Sequence, residues 1–569
     1  MRPATVSRLT TAVAALVCAL LALHQPPAQA AGYTKISGGG STWSSNALDQ
    51  WRRNVSANNG MTVNYAAVGS SVGREQFKNG TADFAVSEIP YGLTEAGMRD
   101  APPKRGYAYM PIVAGGTAFM YNLKIGGKKV TNLRLSGEVI TKIFTGTLTM
   151  WNAPEIKADN PGLALPARRI IPVVRSDGSG TTAQLTTWLA KEHAGLWDAY
   201  CRRAGRSTPC GMTSYFPVVP GSSTIAKSGS LGVSGYTKQG HAEGAITYVE
   251  YSYAIKTGFP VAKMLNASGY YVEPTASSVA VALLKARINE DKGSENYLTQ
   301  ILDGVYRSGD RRAYPLSSYS YMIVPTAAEA PFTTAKGRTL GTFANYFLCE
   351  GQQQAEELGY SPLPKNLVQA GFNQVRRIPG APASSVDITK CRNPTFSADG
   401  SNTLAKKAPY PKDCDKRGRT QCSDGTAGAK QQTRVSSSAT GGASGGGGTG
   451  GGTGGGSGGT GGTGGVTGGG STGGTATGGA AADGGAAAGG AATGAVDPDT
   501  GELLDATGGG QGGDASVVGN PVTLAAGDSL GLRGALMALS GLLLLGVVVG
   551  PPLVARALAA RGRRTGGGR

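Results

Sequence analysis

The aromatic residues of this chain stop well before the chain does. All 38 of them, 22 Tyr, 11 Phe and 5 Trp, fall between Tyr33 and Tyr410 of the 569 residues. Large rings, burying roughly 150–250 Å² each, dominate the energetics of a folded core, so a globular domain is confined to about that stretch. Past it the composition changes: 29 of the 50 residues from Gly441 to Gly490 are Gly, against about 7% in ordinary proteins. Strict Gly-X-Y spacing with abundant Pro is missing there, which excludes collagen. The segment from 426 to 533 therefore reads as a flexible Gly-rich linker.

Both ends carry targeting patterns. Arg2 and Arg8, the apolar run Ala12 to Leu23 and the closing Ala28-Gln29-Ala30 have the layout of a signal peptide over residues 1–30. Gly534 to Ala555 is a 22-residue uncharged run rich in Leu and Val, long enough to cross a hydrocarbon core of about 30 Å. Five arginines follow it and Arg533 precedes it, so the positive-inside rule predicts a cytoplasmic tail at 556–569 and a binding domain, 31–425, held on the extracellular side. Six cysteines remain in the exported part: Cys201, Cys210, Cys349, Cys391, Cys414 and Cys422. An even number without Cys-x-x-Cys or His-rich spacing favours disulfides over a metal site. Sequence leaves 15 pairings open, and pairing of nearest neighbours is the expectation adopted. The net charge of +18 is scattered along the core and gathered at the chain ends, which argues for a solvated basic surface and against nucleic-acid binding.

Within the core, short apolar runs alternate with helical patterns. Thr62 to Val68 and Arg169 to Arg175 read as strands, and Leu185 to Leu189 lies in a helix, giving an α/β class with mainly parallel pairing. Three Gly, Ser and Thr clusters stand at expected helix entrances: Gly38-Gly39-Gly40-Ser41-Thr42-Trp43, Gly69-Ser70-Ser71-Val72-Gly73, and Arg175-Ser176-Asp177-Gly178-Ser179-Gly180-Thr181-Thr182. Each offers backbone N–H groups, hydroxyls and the positive end of a helix dipole, the ingredients of an anion site. One cluster alone would be ordinary capping; three, one led by an arginine, point to an oxyanion ligand. No Gly-x-x-x-x-Gly-Lys-Ser/Thr loop occurs, so nucleotide binding lacks its usual support. Gly69-x-Ser71-x-Gly73 matches the form of a nucleophile elbow, and a serine hydrolase using Ser71 is the enzymatic alternative. Its weakness is the base: only His193 and His241 follow the leader, and Gly80 interrupts the helix an elbow should feed.

The order of these motifs resembles the phosphate-binding subunit of bacterial phosphate ABC importers, a class II solute-binding protein family. The resemblance covers about residues 33–395 and rests on the three clusters, on Asp83-Phe84-Ala85-Val86-Ser87-Glu88, on Gly244 to Tyr251, and on Tyr314 to Tyr321. It implies two α/β lobes joined by a hinge, one from about 32–113 and 316–395, the other from 114–315. It further implies that Thr42, the backbone of Trp43, Ser70, Glu88, Arg175, Ser179, Gly180 and Thr181 hold inorganic phosphate, that Asp177 orients Arg175, and that the partners are the importer's permease subunits. No cofactor or metal is implied. The family's acidic acceptor is usually Asp, and Glu88 stands in its place. A wall-associated adhesion or sensing protein is the structural alternative.

Overall fold

The computed structural model describes residues 32–430, apart from 96–97, 383–387 and 398. The expected signal peptide at 1–30, the rest of the expected linker from 431 to 533, the apolar run 534–555 and the expected tail 556–569 lie outside the described residues. Among the described residues, no helix is long and apolar enough to cross a membrane.

Strands β1 (Ile36–Gly40), β2 (Val63–Ala66) and β3 (Phe84–Ser87) alternate with helices α1 (Ser45–Asn59) and α2 (Ser70–Lys78). Parallel pairing of β1 with both neighbours, Gly38 opposite Tyr65 and Phe84, makes the first lobe. Helix α1 buries Ala47, Leu48, Trp51 and Val55, the stripe that 3.6-residue periodicity dictates. Helix α2 lies directly on β1, because a Cβ at Gly73 would come within 2.3 Å of the Gly40 Cα. The same grammar recurs in the second lobe: β5 (Ile171–Arg175), α3 (Gly180–Glu192), β6 (Ile225–Lys227), α4 (Gly229–Lys238), β7 (Ala245–Glu250) and the short helix α5 (Tyr251–Thr257). Here β5 pairs in parallel with β6 and β7.

The long strand β4 (Tyr107–Tyr121) joins the lobes. Its last five residues, Thr117 to Tyr121, run antiparallel to β7, and β8 (Val261–Leu265) pairs with it there as well. Tyr107 to Gly116 run antiparallel to β9 (Ser317–Pro325), which passes on to β3. Pairing is therefore mixed rather than mainly parallel, in the order β6-β5-β7-β4-β9-β3-β1-β2. The physical reason is that β4 carries the chain from the first lobe to the second and β9 carries it back, so the two crossing strands run in opposite directions. The register slips between Ser320 and Tyr321 of β9. Trp43, Trp51, Trp151 and Trp197 are fully buried; truncating any one to Ala would cost about 3–5 kcal/mol.

The three disulfides join Cys201 to Cys210, Cys349 to Cys391 and Cys414 to Cys422. From Thr403 onward the chain forms a strap over the second lobe. Buried Arg134 organises it, donating from Nη1 to the Cys414 carbonyl at 2.8 Å and from Nη2 to the Arg419 carbonyl at 2.7 Å. Asn132 Nδ2 donates to the Cys422 carbonyl at 2.7 Å, and Lys263 pairs with Asp415 at 2.8 Å. Thr426 to Ala429, read from the sequence as the first residues of the linker, also pack here: the buried Thr426 hydroxyl donates to the Val261 carbonyl at 2.6 Å. Hydrogen bonding to β8 outweighs their glycine- and alanine-rich composition.

Candidate anion site between the lobes

The three clusters meet where the lobes face each other. Gly69 is held over the third cluster, since a Cβ there would lie 2.7 Å from Asp177 Oδ2 and 3.0 Å from the Gly178 carbonyl, and Ser71 N donates to that carbonyl at 3.1 Å. Two networks result.

The first centres on Glu88, which is 1% exposed. Its Oε1 accepts from the Ser41 hydroxyl at 2.6 Å and from the Ser320 hydroxyl; its Oε2 accepts from the Ser70 hydroxyl at 3.0 Å. Ser41 and Ser70 in turn accept from backbone donors, Trp43 N at 3.0 Å and Gly180 N at 3.1 Å. Burial pushes the Glu88 carboxyl up from its ordinary value, while Ser320, Ser41, Ser70 and the charge of Arg175 pull it back. Three hydroxyl donors converging on one carboxyl are what an acceptor-only, ionised group requires.

The second network centres on Arg175, 2% exposed. Asp177 receives Nε at 2.7 Å and Nη2 in a bidentate pair, and is itself fixed by Gly229 N at 2.9 Å. Although burial alone would raise the Asp177 carboxyl, the hydrogen bonds and charge of Arg175 hold it below the usual range. Arg175 Nη1 donates to Ser230 Oγ at 3.4 Å, and Ser230 meets Thr42 Oγ1 across the cleft at 2.8 Å. A guanidinium has five N–H donors, so two remain after these three contacts. Tyr248, whose phenol burial pushes up to about 12, accepts from Arg175 N at 3.2 Å and pairs with the Thr182 hydroxyl at 2.8 Å. This neutral phenol thus locks the end of β5 to the first turn of α3.

Of the residues expected from sequence, Ser70, Glu88 and Gly180 share the first network, with Trp43 N reaching it through Ser41; Thr42, Arg175 and Asp177 share the second. Thr181 opens α3 with a buried hydroxyl that has no partner. Ser179 differs: its hydroxyl accepts from Thr182 N at 3.2 Å and caps its own helix, leaving the backbone around it as its contribution to the site. Sequence reasoning passed over Ser41, Ser230, Tyr248 and Ser320. Ser230 had a readable signal, because Ser228-Gly229-Ser230, leading from β6 into the first turn of α4, is a fourth case of the same strand, Gly/Ser, helix grammar. The Ser71 hydroxyl pairs with Ser214 Oγ at 3.2 Å, and both histidines pack elsewhere, His193 on Trp188 and His241 on Tyr236.

A sequence profile described as a PBP superfamily domain matches residues 25–350. The phosphate-binding protein PstS of Xylella fastidiosa is 31% identical over 344 residues, spanning 60% of this chain and 85% of that protein. The chain belongs to this family. PstS2 of Mycobacterium bovis is also 31% identical, spanning 59% of this chain and 85% of its own length, and PstS of the archaeon Methanocaldococcus jannaschii is 31% identical over 322 residues, 53% and 78%. Among solved structures, a phosphate-binding protein from Stenotrophomonas maltophilia aligns at 17% identity and a TM-score of 0.44, covering 65% of this chain and 99% of that one. PstS proteins are named as phosphate-binding proteins, and a site of fixed donors is what membership in their family leads one to expect.

Proposed function

We propose that this chain captures inorganic phosphate in the cleft between its lobes and delivers it to the permease of an ABC importer. The observation that carries the reading is the Thr181 hydroxyl, buried at the N-terminus of α3 without a partner, in the cluster led by Arg175, which keeps two uncommitted N–H donors. Buried polar groups are hydrogen-bonded in all but a few cases, and an anion at a helix N-terminus satisfies hydroxyl, guanidinium and backbone donors together. Thr42, Trp43 N, Ser70, Arg175, Ser179, Gly180 and Thr181 surround the anion in this reading. Glu88 is then the acceptor for its proton, which phosphate carries at neutral pH and sulfate does not. The family speaks against a hydrolase, and so do His193 and His241, which pack on Trp188 and Tyr236 and not on Ser71.

Lobe boundaries at 32–113 with 316–395 and at 114–315 are supported by the change of partner along β4, from β9 to β7, near Gly116 and Thr117. The apolar run 534–555 followed by five arginines supports export and tethering to the outer face of the cytoplasmic membrane. Isothermal titration of the dialysed full chain in mild detergent tests the proposal. Saturable phosphate binding, weakened at least about tenfold by Arg175→Ala through loss of a charge-assisted bond, is expected. Equal affinity in the variant would place the site elsewhere.

A further inference from the structure

The Glu88 carboxylate has two unlike oxygens. Oε2 lies at the lobe interface: it shares Ser70 with Gly180 N, and a Cβ on Gly180 would stand only 1.9 Å from it. Oε1 faces away from Gly180 and into the first lobe, where Ser41 closes it from the end of β1 and Ser320 from β9. Ser320 stands in β9 opposite Val113, next to the point where β4 bulges by one residue, Ile112, and regular pleating puts its side chain on the face opposite Tyr319 and Tyr321, whose rings meet at 5.5 Å. Glu carries one more methylene than Asp, so its carboxylate has an extra rotatable bond to be held against. Two hydroxyls on one oxygen supply that restraint.

We propose that Ser41 and Ser320 are the specificity-determining positioning residues of this site, pinning Oε1 of Glu88 so that Oε2 alone meets the proton of the bound anion. The inference rests on the phosphate reading above and adds to it the means by which a longer carboxylate discriminates. With Oε1 filled by two donors, the carboxylate presents one lone-pair direction to the ligand, and a fully deprotonated tetrahedral anion finds an acceptor facing an acceptor. Released from Ser320, the carboxylate can turn away from the anion and relieve that repulsion. Discrimination then falls while most phosphate contacts persist. The ionisable groups facing Glu88 are Arg175, paired with Asp177, and the phenols of Tyr65 and Tyr321, both pushed well above their ordinary value by burial first of all. Both phenols therefore stay uncharged between pH 5.5 and 8.5, where the anion changes charge.

The test is competition of sulfate against labelled phosphate on the full chain in detergent, across that pH range. Ser320→Ala is expected to lower the phosphate-over-sulfate ratio by at least about tenfold, a part of the 10⁴–10⁵ that a fully paired polar site achieves. Ser320→Thr, which restores a hydroxyl, is expected to recover the ratio and the pH profile. Ser41→Ala gives an independent second arm, so a folding defect in one variant leaves the question decided by the other. In a Glu88→Asp background, where the shorter side chain no longer reaches the pair of hydroxyls, Ser320→Ala should change the ratio by less than about threefold, a non-additivity that marks direct coupling. Unaltered selectivity and pH profile in both alanine variants, with the parent chain binding phosphate selectively, overturn this inference and leave the phosphate reading standing. Failure of the parent chain to bind phosphate overturns both.

Discussion

Replacing Gly180 by Ala adds one methyl group at the contact between the lobes. The new Cβ would lie 1.9 Å from Glu88 Oε2 and 2.7 Å from Ser70 Oγ, well over an ångström inside ordinary contact of about 3.5 Å. Gly180 is absent from the positive-φ residues, so its backbone accepts alanine, and the second lobe by itself loses nothing; a helical position gains up to about 1 kcal/mol from the exchange. The cost arises only when the lobes meet. Glu88 must turn aside, giving up the Ser70 bond and straining those to Ser41 and Ser320, or the cleft must stay open. A hydrogen bond to a charged group is worth about 1.5–3 kcal/mol, which converts to a loss of phosphate affinity between about 10-fold and 150-fold. Titration calorimetry reads the affinity, and thermal melting with and without phosphate reads the linkage. The expected pattern is an unliganded melting temperature at or above that of the parent chain and a smaller rise on adding phosphate. A Gly180→Ala variant with parental affinity would refute the closed geometry in which Glu88 abuts α3.

Two carboxyls shift in opposite directions and predict opposite pH trends. Asp177 is held below its ordinary value, so its stabilisation is complete above about pH 4 and is lost as pH falls through the depressed value; Asp177→Asn should cost about 1–3 kcal/mol in urea unfolding at pH 7, with the gap closing in acid. Glu250, fully buried where β7 passes into α5, accepts from Ser252 N at 2.7 Å through Oε2, and burial pushes it well above its ordinary value. Its contribution is full below about pH 4.5 and is lost as pH rises through the raised value, so Glu250→Gln should flatten the decline of stability as pH rises above about 4.5. An unchanged slope would place the titrating group elsewhere.

The parts of the site that sequence reveals are local ones. Arg175 and Asp177 are two residues apart, Thr181 and Gly180 begin the helix that follows, and Ser70 stands at a Gly-flanked helix start, so the chemistry is written next to itself. Ser320 reaches Glu88 across 232 residues and Ser230 reaches Thr42 across 188; a single serine in a strand or loop carries no mark of such a partner. The antiparallel passage through β4 was hidden for another reason. Every residue from Ala108 to Tyr121 is buried, and a strand covered on both faces loses the alternation that would separate its two ends. The strap from 403 to 429 is rich in Lys, Asp and Gly, which reads as loop, and its order comes from Arg134 and Thr426, whose partners lie more than 150 residues away.

That strap decides where a pull on the C-terminal side of the domain is felt. Thr426 bridges the Val261 and Thr131 carbonyls, Ala427 N donates to Glu273 at 2.7 Å, and Gly428 packs against Gly258. Tension applied at Lys430 therefore enters β8 and its neighbours in the second lobe, in shear across several short bonds, and reaches neither β9 nor the Glu88 network directly. Held from that end, the molecule behaves as a shell fixed by one valve. The first lobe, with Ser41, Ser70 and Glu88, lies off that path, and a pull at Lys430 meets the bonds of Thr426 and Ala427 before it can act on the cleft.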